Sequence, residues 1–164
     1  MNYLTSHSGE QAIGQLEKIK GGYLYLMIKA DIINQFERKR HTRLVCHLDE
    51  KISYQCGLNH LGDGNFFIII AGKCLEQLGK KLGSLVYFRI EEDPNPLGVD
   101  GPEVLTVLLA QDESLSEIYD KITDGKKRAL IFSIIKIKDI DKQVQGITAF
   151  LAKQKQQLIK KGLL

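Results

Sequence analysis

The sequence of 164 residues predicts a chain of the mainly β plus α class, with a β domain first and a helical region after it. Three observations support this prediction. All three prolines fall within residues 93–102, together with two glycines, which is typical of a linker. Before this segment, short β-type runs alternate with turn signals, and after it apolar residues recur at helical spacing. We therefore expect a β domain over 1–92, a Pro/Gly linker over 93–102 and a helical region over 103–164.

Five segments before the linker have the composition of β-strands. In 52–58 the apolar residues stand at every second position, which predicts a half-buried strand. The continuous apolar run that begins at Phe66 predicts a strand buried on both faces. The complete set of predicted strands is 23–28, 43–48, 52–58, 66–71 and 85–91.

Apolar stripes at helical spacing predict two short helices within the β domain, 30–37 and 73–82, and Gly83 is expected to end the second. No internal repeat is evident in the sequence.

After the linker we expect four helices. The first begins at Pro102, which suits a first helical turn. Ser114 and Glu117 form a capping box for the second, the third covers 126–137, and Asp139 or Asp141 opens the fourth.

Composition excludes several classes of protein. A hydrophobic share of 43% with a net charge of +3 excludes global disorder. The longest apolar stretch, 66–71, is far shorter than the roughly 20 residues of a membrane-spanning helix. Residues 1–20 lack the pattern of a signal peptide, so we expect a cytoplasmic protein. Three cysteines are an odd number, which favours reduced buried thiols over a disulfide framework.

The sequence contains none of the common motifs of enzymes. It lacks a phosphate-binding loop, a Gly-x-Ser-x-Gly elbow, a His-Glu-x-x-His pair and a Cys-x-x-Cys pair. We therefore expect a non-enzymatic protein without a cofactor.

Charge is distributed unevenly along the chain. Residues 121–164 contain 11 Lys or Arg and 3 Asp or Glu, whereas residues 1–120 contain 12 and 17. Two basic clusters are candidates for binding an anion or an anionic partner, and they also leave open a nucleic-acid-binding function. The second cluster begins a predicted helix, where cations oppose the helix dipole, which favours an anionic partner. The candidate residues are Arg38, Lys39, Arg40 and Arg43 in the first cluster, and Lys126, Lys127 and Arg128 in the second.

The weak candidates for a metal site are Cys56 and His60, with Cys46 and His47 on a neighbouring strand. Thiolate and imidazole are zinc ligands. Adjacent strand residues face opposite ways, so Cys46 and His47 cannot readily bind one ion, and buried cysteines with surface histidines are the simpler interpretation. A small-ligand or nucleophilic site that uses Cys56, His60 and Asp63 is the corresponding alternative.

Several segments occur in an order known from one family. In the first part they are 22–25, 43–45, 64–68, 78–83 and 85–88, and in the second they are Gly98, 102–105 and 122–131, the last reading ITDGKKRALI. This order resembles the bacterial YdeI/OmpD-associated, or bacteriocin-protection, family, together with the N-terminal domain of unknown function that commonly precedes it. Many members carry a Thr-Arg pair with further arginines, where this chain has Ile140-Asp141 and Gly146-Ile147.

The resemblance implies a small closed double-split β-barrel, similar to that of AbrB-like transcription factors, followed by a helical appendage. It implies no enzyme activity, and the family names record stress, bacteriocin and outer-membrane contexts. Our leading hypothesis is a non-enzymatic cytoplasmic interaction protein that binds a protein or another anionic partner. The alternatives are a nucleic-acid-binding module and a small-ligand or metal-binding protein around Cys56 and His60.

Overall fold

The computed structural model describes residues 2–164, apart from the side chain of Lys20, and separates them into two compact units. The boundary lies between Gly98 and Val99, within the Pro/Gly segment. The described part of the first unit contains strands and two short α-helices, and the second contains four α-helices. The mixed β and α composition is therefore confirmed. No helix of the described residues is both long and apolar enough to cross a membrane.

The first unit contains two antiparallel sheets, with strand orders β1-β8-β4-β5 and β2-β3-β7-β6. The five strands expected from the sequence form as β3, β4, β5, β7 and β8, whereas β1, β2 and β6 were not predicted. The strands are β1 (Ser6–Ala12), β2 (Gly14–Gln15), β3 (Leu24–Ile28), β4 (Leu44–Leu48), β5 (Ile52–Cys56), β6 (Asn59–His60), β7 (Phe66–Ile70) and β8 (Leu85–Glu92).

The chain passes from one sheet to the other four times, and at two of these places only one or two residues form the link. Ile13 alone separates β1 from β2, and Gly57 and Leu58 separate β5 from β6. Side chains of both sheets, such as Leu26 and Ile90, are fully buried in one hydrophobic core. We call the passage from β1 to β2 beside β3 the first junction, and the passage from β5 to β6 beside β7 the second junction.

The two short helices follow corresponding strands, α1 (Ala30–Ile33) after β3 and α2 (Gly72–Leu78) after β7. Both are shorter than predicted. Helix α2 ends at Gly79, not at Gly83, because Gly79 adopts the left-handed conformation (φ 66°) and its N–H bonds to the carbonyls of the last turn.

The first unit repeats one pattern of strand pairing, although the sequence shows no repeat. The segment β1-β2-β3-α1-β4 and the segment β5-β6-β7-α2-β8 pair in the same way, and the β3–β7 and β4–β8 ladders join them. In the β3–β7 ladder Tyr25 pairs with Ile69 and Met27 pairs with Phe67. A two-fold rotation that superimposes one segment on the other therefore places Ile69 at the position of Met27. Only pairing reveals this approximate two-fold relation.

The second unit consists of α3 (Glu103–Gln111), α4 (Glu113–Lys121), α5 (Asp124–Ile134) and α6 (Ile140–Lys160). The expected capping box of α4 is wrong: Asp112 caps this helix, because its carboxylate accepts the Leu115 N–H at 3.1 Å. Thr123 caps α5 and Asp139 caps α6. The buried apolar residues of these helices are Leu105, Ile118, Leu130, Ile131, Ile134, Ile147, Leu151 and Leu158.

Candidate functional site

The first basic cluster lies in the connection between α1 and β4, among acidic residues. Arg38 donates to the Pro96 carbonyl at 3.4 Å, and Arg40 lies 3.4 Å from a ring nitrogen of His41, while Lys39 is exposed. Arg38 and Arg43 line a cavity of about 630 Å³ whose wall also contains Glu37, Glu91, Glu92 and Asp93. The wall therefore mixes both signs of charge.

Arg43 of the first basic cluster packs against two glycines of the first unit. Its guanidinium packs against the bare backbones of Gly57 and Gly98, where a Cβ atom would collide with it. The neighbouring Glu91 accepts from His47 at 2.7 Å and from Arg89 at 3.1 Å, and these two partners hold the pKa of Glu91 below its usual range. Several charges near the cluster are thus already compensated within the first unit.

The second basic cluster makes contacts inside the helical unit. The Lys126 ammonium donates to the Gln157 side chain at 3.1 Å, and the Lys127 ammonium lies 5.1 Å from the centre of the Tyr119 ring. Helix α5 begins at Asp124, before the cluster, and Arg128 is half-buried. Lys126 and Lys127 are therefore engaged with neighbouring side chains.

The structure does not bring His60 to Cys56 in a common site. His60 is exposed on β6, and its ring lies 5.3 Å from that of Phe66. Asp63 accepts the Asn65 N–H in the turn that follows. No group of three or more His, Cys, Asp or Glu side chains within the described residues is arranged to hold a metal ion.

Cys56 instead lines a cleft of about 520 Å³ at the second junction. We call this the β5–β7 cleft, because β5 forms one wall, Ile69 of β7 contributes to the other, and α2 borders both. Among the residues that the structure describes, Lys73 is the only charged one in its lining. The lining residues are Ile52, Ser53, Tyr54, Gln55, Cys56, Gly57, Asn59, Ile69, Ala71, Lys73, Cys74 and Gln77.

The β7 wall of the cleft presents an unpaired stretch of strand. The Leu61 N–H bonds to the Asn65 carbonyl, which makes Asn59 and Phe67 the next hydrogen-bonded pair and Ile69 the next β7 residue to face this side. The β6–β7 ladder ends at Asn59, because the residues before Asn59 connect β6 to β5 in the other sheet. The Tyr54 hydroxyl of β5 donates to the Ile69 carbonyl at 3.0 Å. In the described part of the chain, nothing on this side accepts from the Ile69 N–H.

The β5 wall presents an open edge. The Asp49 N–H bonds to the Tyr87 carbonyl, which makes alternate β4 residues face β8 and the others face β5. By this alternation Ile52, Tyr54 and Cys56 bond to β4, while Ser53 and Gln55 turn their N–H and C=O groups outward. β5 is the last described strand in its sheet, so these four groups have no ladder partner among the described residues.

The first junction has the same backbone arrangement, but a side chain closes it. The Gln11 amide of β1 donates to the Met27 carbonyl at 2.9 Å and accepts the Met27 N–H at 3.0 Å. Met27 is the counterpart of Ile69. The cavity beside this junction has about 370 Å³.

Cys56 occupies in the second junction the place that Gln11 has in the first. Cys56 faces Leu44 of β4, and Gln11 faces Val86 of β8, which is the counterpart of Leu44. A thiol cannot replace a peptide group in the way that a primary amide does. The second junction therefore keeps its cleft.

Burial disfavours the charged forms of Cys56, which lines the cleft, and of Cys46 on the neighbouring strand β4. Burial raises the pKa of the Cys46 thiol to about 11, and a hydrogen bond with Tyr54 opposes this shift only in part. Burial likewise raises the pKa of Cys56 and of Tyr54. The thiols of Cys46 and Cys56 are thus protonated at neutral pH, and neither is a thiolate nucleophile.

The sequence does not identify this cleft as a site. Its one local signal is the alternation in 52–58, which places Tyr54 and Cys56 on one face; the unpaired edges depend on pairing with distant strands. No family model, curated protein or solved structure matches the chain.

Proposed function

We propose that the chain is a non-enzymatic interaction protein that binds a segment of a protein partner in the β5–β7 cleft. The observation that carries this proposal is the difference between the junctions: Gln11 satisfies both backbone groups of Met27, whereas Tyr54 satisfies only the Ile69 carbonyl. Unpaired backbone groups beside a cleft form a surface that a peptide can complete.

The surroundings favour this function over the alternatives. A nucleic-acid-binding surface would need a continuous basic face, whereas Arg38 and Arg43 share their cavity with four acids. A catalytic cysteine would need a lowered pKa, and burial raises that of Cys56.

We also propose that the chain belongs to the YdeI/OmpD-associated family and that its two sheets close into a double-split β-barrel. The passage of the chain between the sheets at both junctions supports closure, as does the core that the sheets share. The four helices of the second unit agree with the helical appendage that the family resemblance implies.

The test is a selection of random peptides of about ten residues, twice the length of a typical strand, displayed against the full chain. The matched variant is Cys56→Gln, which introduces into the second junction the amide that closes the first. We expect selected peptides to bind this variant about tenfold or more weakly than the wild-type chain. Amide NMR spectra of both proteins check that the variant is folded.

Two outcomes would overturn the proposal. One is that no peptide is enriched, or that enriched peptides bind both proteins equally. The other is tight binding of duplex DNA, single-stranded DNA or RNA that weakens between about 50 and about 200 mM salt and is lost on charge reversal of Arg38, Lys39 and Arg40. Fluorescence anisotropy with labelled nucleic acid measures this second outcome.

A further inference from the structure

We infer that the partner segment binds as an added β-strand, an extended peptide that pairs with the outer edge of β5 and places an acidic side chain beside Lys73. This inference rests on the proposed function and specifies the kind of partner. It concerns the same cleft, and its test is designed so that it can fail while the proposed function stands.

The backbone of β5 supplies the first argument. Ser53 and Gln55 each present one N–H and one C=O to the outside, at the two-residue spacing with which strands pair. An extended peptide matches this pattern with its own backbone, whatever its sequence. The Ile69 N–H on the opposite wall offers one further donor, because Tyr54 bonds only to the carbonyl of that residue.

The two walls are too far apart to pair with each other. Paired strands lie about 4.8 Å apart, and here a whole tyrosine side chain with its hydrogen bond connects β5 to β7. The Gly57–Leu58 link joins the two walls at one end of the cleft, where it carries the chain from one sheet to the other. Ser53 and Gln55, whose N–H and C=O groups turn outward, are both exposed on this edge of β5.

The lining of the cleft supplies the second argument, through its charge. Lys73 is exposed, makes no ion pair within the described residues, and has no carboxylate beside it in the lining. Ile52, Ile69 and Cys74 contribute apolar surface to the cleft, and the other lining residues are uncharged. Because alternate side chains of a strand face opposite ways, a complementary peptide directs an apolar side chain into the cleft and carries a carboxylate within reach of Lys73.

The same charge argument disfavours a second copy of this chain as the occupant. Pairing of β5 with β5 of the second copy would leave Lys73 without a partner, because β5 contains no acidic residue. The best match is therefore a segment of another protein that alternates apolar residues with at least one Asp or Glu.

The test uses peptides selected on the wild-type chain and two matched proline variants. Ser53→Pro removes an outward N–H, and proline is tolerated on edge strands where the N–H faces away from the ladder. Ser8→Pro is the control, because Ser8 turns outward from the edge strand β1 in the same way, beside the first junction. We expect peptide affinity to fall about tenfold or more with Ser53→Pro and to stay unchanged with Ser8→Pro.

A charge exchange tests the acidic residue. Lys73→Glu is expected to weaken binding of an acidic peptide. The same peptide with lysine in place of its acid should bind the wild-type chain weakly and the Lys73→Glu variant more tightly. Lys155→Glu, on an exposed position of α6, is the control and should change neither. Selected peptides that lack an acid, or an affinity that does not respond to Lys73→Glu, would overturn this part of the inference.

The outcomes separate strand addition from the broader proposal. Peptides that Cys56→Gln blocks but Ser53→Pro does not affect would refute strand addition and leave the cleft as the binding site. If Ser53→Pro fails to fold, amide exchange of the wild-type chain decides: addition of the peptide must protect the N–H groups of Ser53 and Gln55, and unchanged exchange refutes the inference. A dimer that sedimentation detects and that Ser53→Pro dissociates would make a second copy the occupant, which also refutes it.

Discussion

The two junctions of the first unit have the same backbone arrangement and carry different side chains. At the first, Gln11 provides a donor and an acceptor and so imitates the peptide group of a missing strand. At the second, Cys56 has that place and Tyr54 reaches across with a single hydroxyl. The comparison teaches that an open strand edge need not be a defect of a fold, since a single amide is enough to close it.

The largest expected effect comes from opening the closed junction. Gln11→Ala leaves the N–H and C=O of Met27 without partners in a half-buried position, so we expect a loss of about 2–3 kcal/mol in the free energy of unfolding. Denaturant unfolding measures it. Gln15→Ala is the control, because the Gln15 amide makes one exposed bond, to the Gly22 carbonyl. Equal losses from the two variants would show that Gln11 does not close the junction.

A smaller effect is expected at the open junction. Tyr54→Phe removes the bond to the Ile69 carbonyl, and we expect a loss of about 1 kcal/mol in the free energy of unfolding, because water in the cleft can replace the hydroxyl. Tyr25→Phe is the control, since the Tyr25 hydroxyl makes no hydrogen bond among the described residues. A loss from Tyr54→Phe as large as that from Gln11→Ala would remove the difference between the junctions.

The smallest effect concerns pH. Burial raises the pKa of Asp49, but bonds from the Lys80 ammonium and the Tyr87 N–H, together with nearby positive charge, outweigh burial and hold the pKa below its usual range. Ionised Asp49 therefore stabilises the turn between β4 and β5 above the ordinary aspartate pKa, and this contribution disappears as pH falls through the folded-state pKa.

We expect ionised Asp49 to contribute less than about 1 kcal/mol to the free energy of unfolding. The protection of β5 amides against hydrogen exchange, corrected for the intrinsic pH dependence of exchange, should fall at low pH, and Asp49→Asn should reduce that fall. Glu10→Gln on β1 is the control beside the first junction, where β1 exchange should not change. A β5 exchange profile that is the same in Asp49→Asn would contradict the assignment.

The sequence predicts the parts of this fold whose signals are local. The alternation in 52–58 and the apolar run from Phe66 identify β5 and β7, because burial imposes those patterns. It does not predict β1, whose residues Ser6–Ala12 are mostly small or polar and pair along one side only. The candidate site is recognised by comparison with the junction that β1 forms. Its open edges result from pairing between strands that are distant in sequence. Local patterns therefore indicate the presence of β5 but not which of its sides is open.

The repeated pairing pattern also has a consequence for how the chain folds. Each repeat contributes strands to both sheets, and the β3–β7 and β4–β8 ladders that join the repeats connect residues far apart in sequence. Neither repeat can complete its hydrogen bonds alone, so the two must assemble in one cooperative step. A topology in which distant contacts dominate reaches its native state slowly compared with a helical bundle. On a ribosome, β1 to β4 would have to wait as a nascent chain until β8 has emerged.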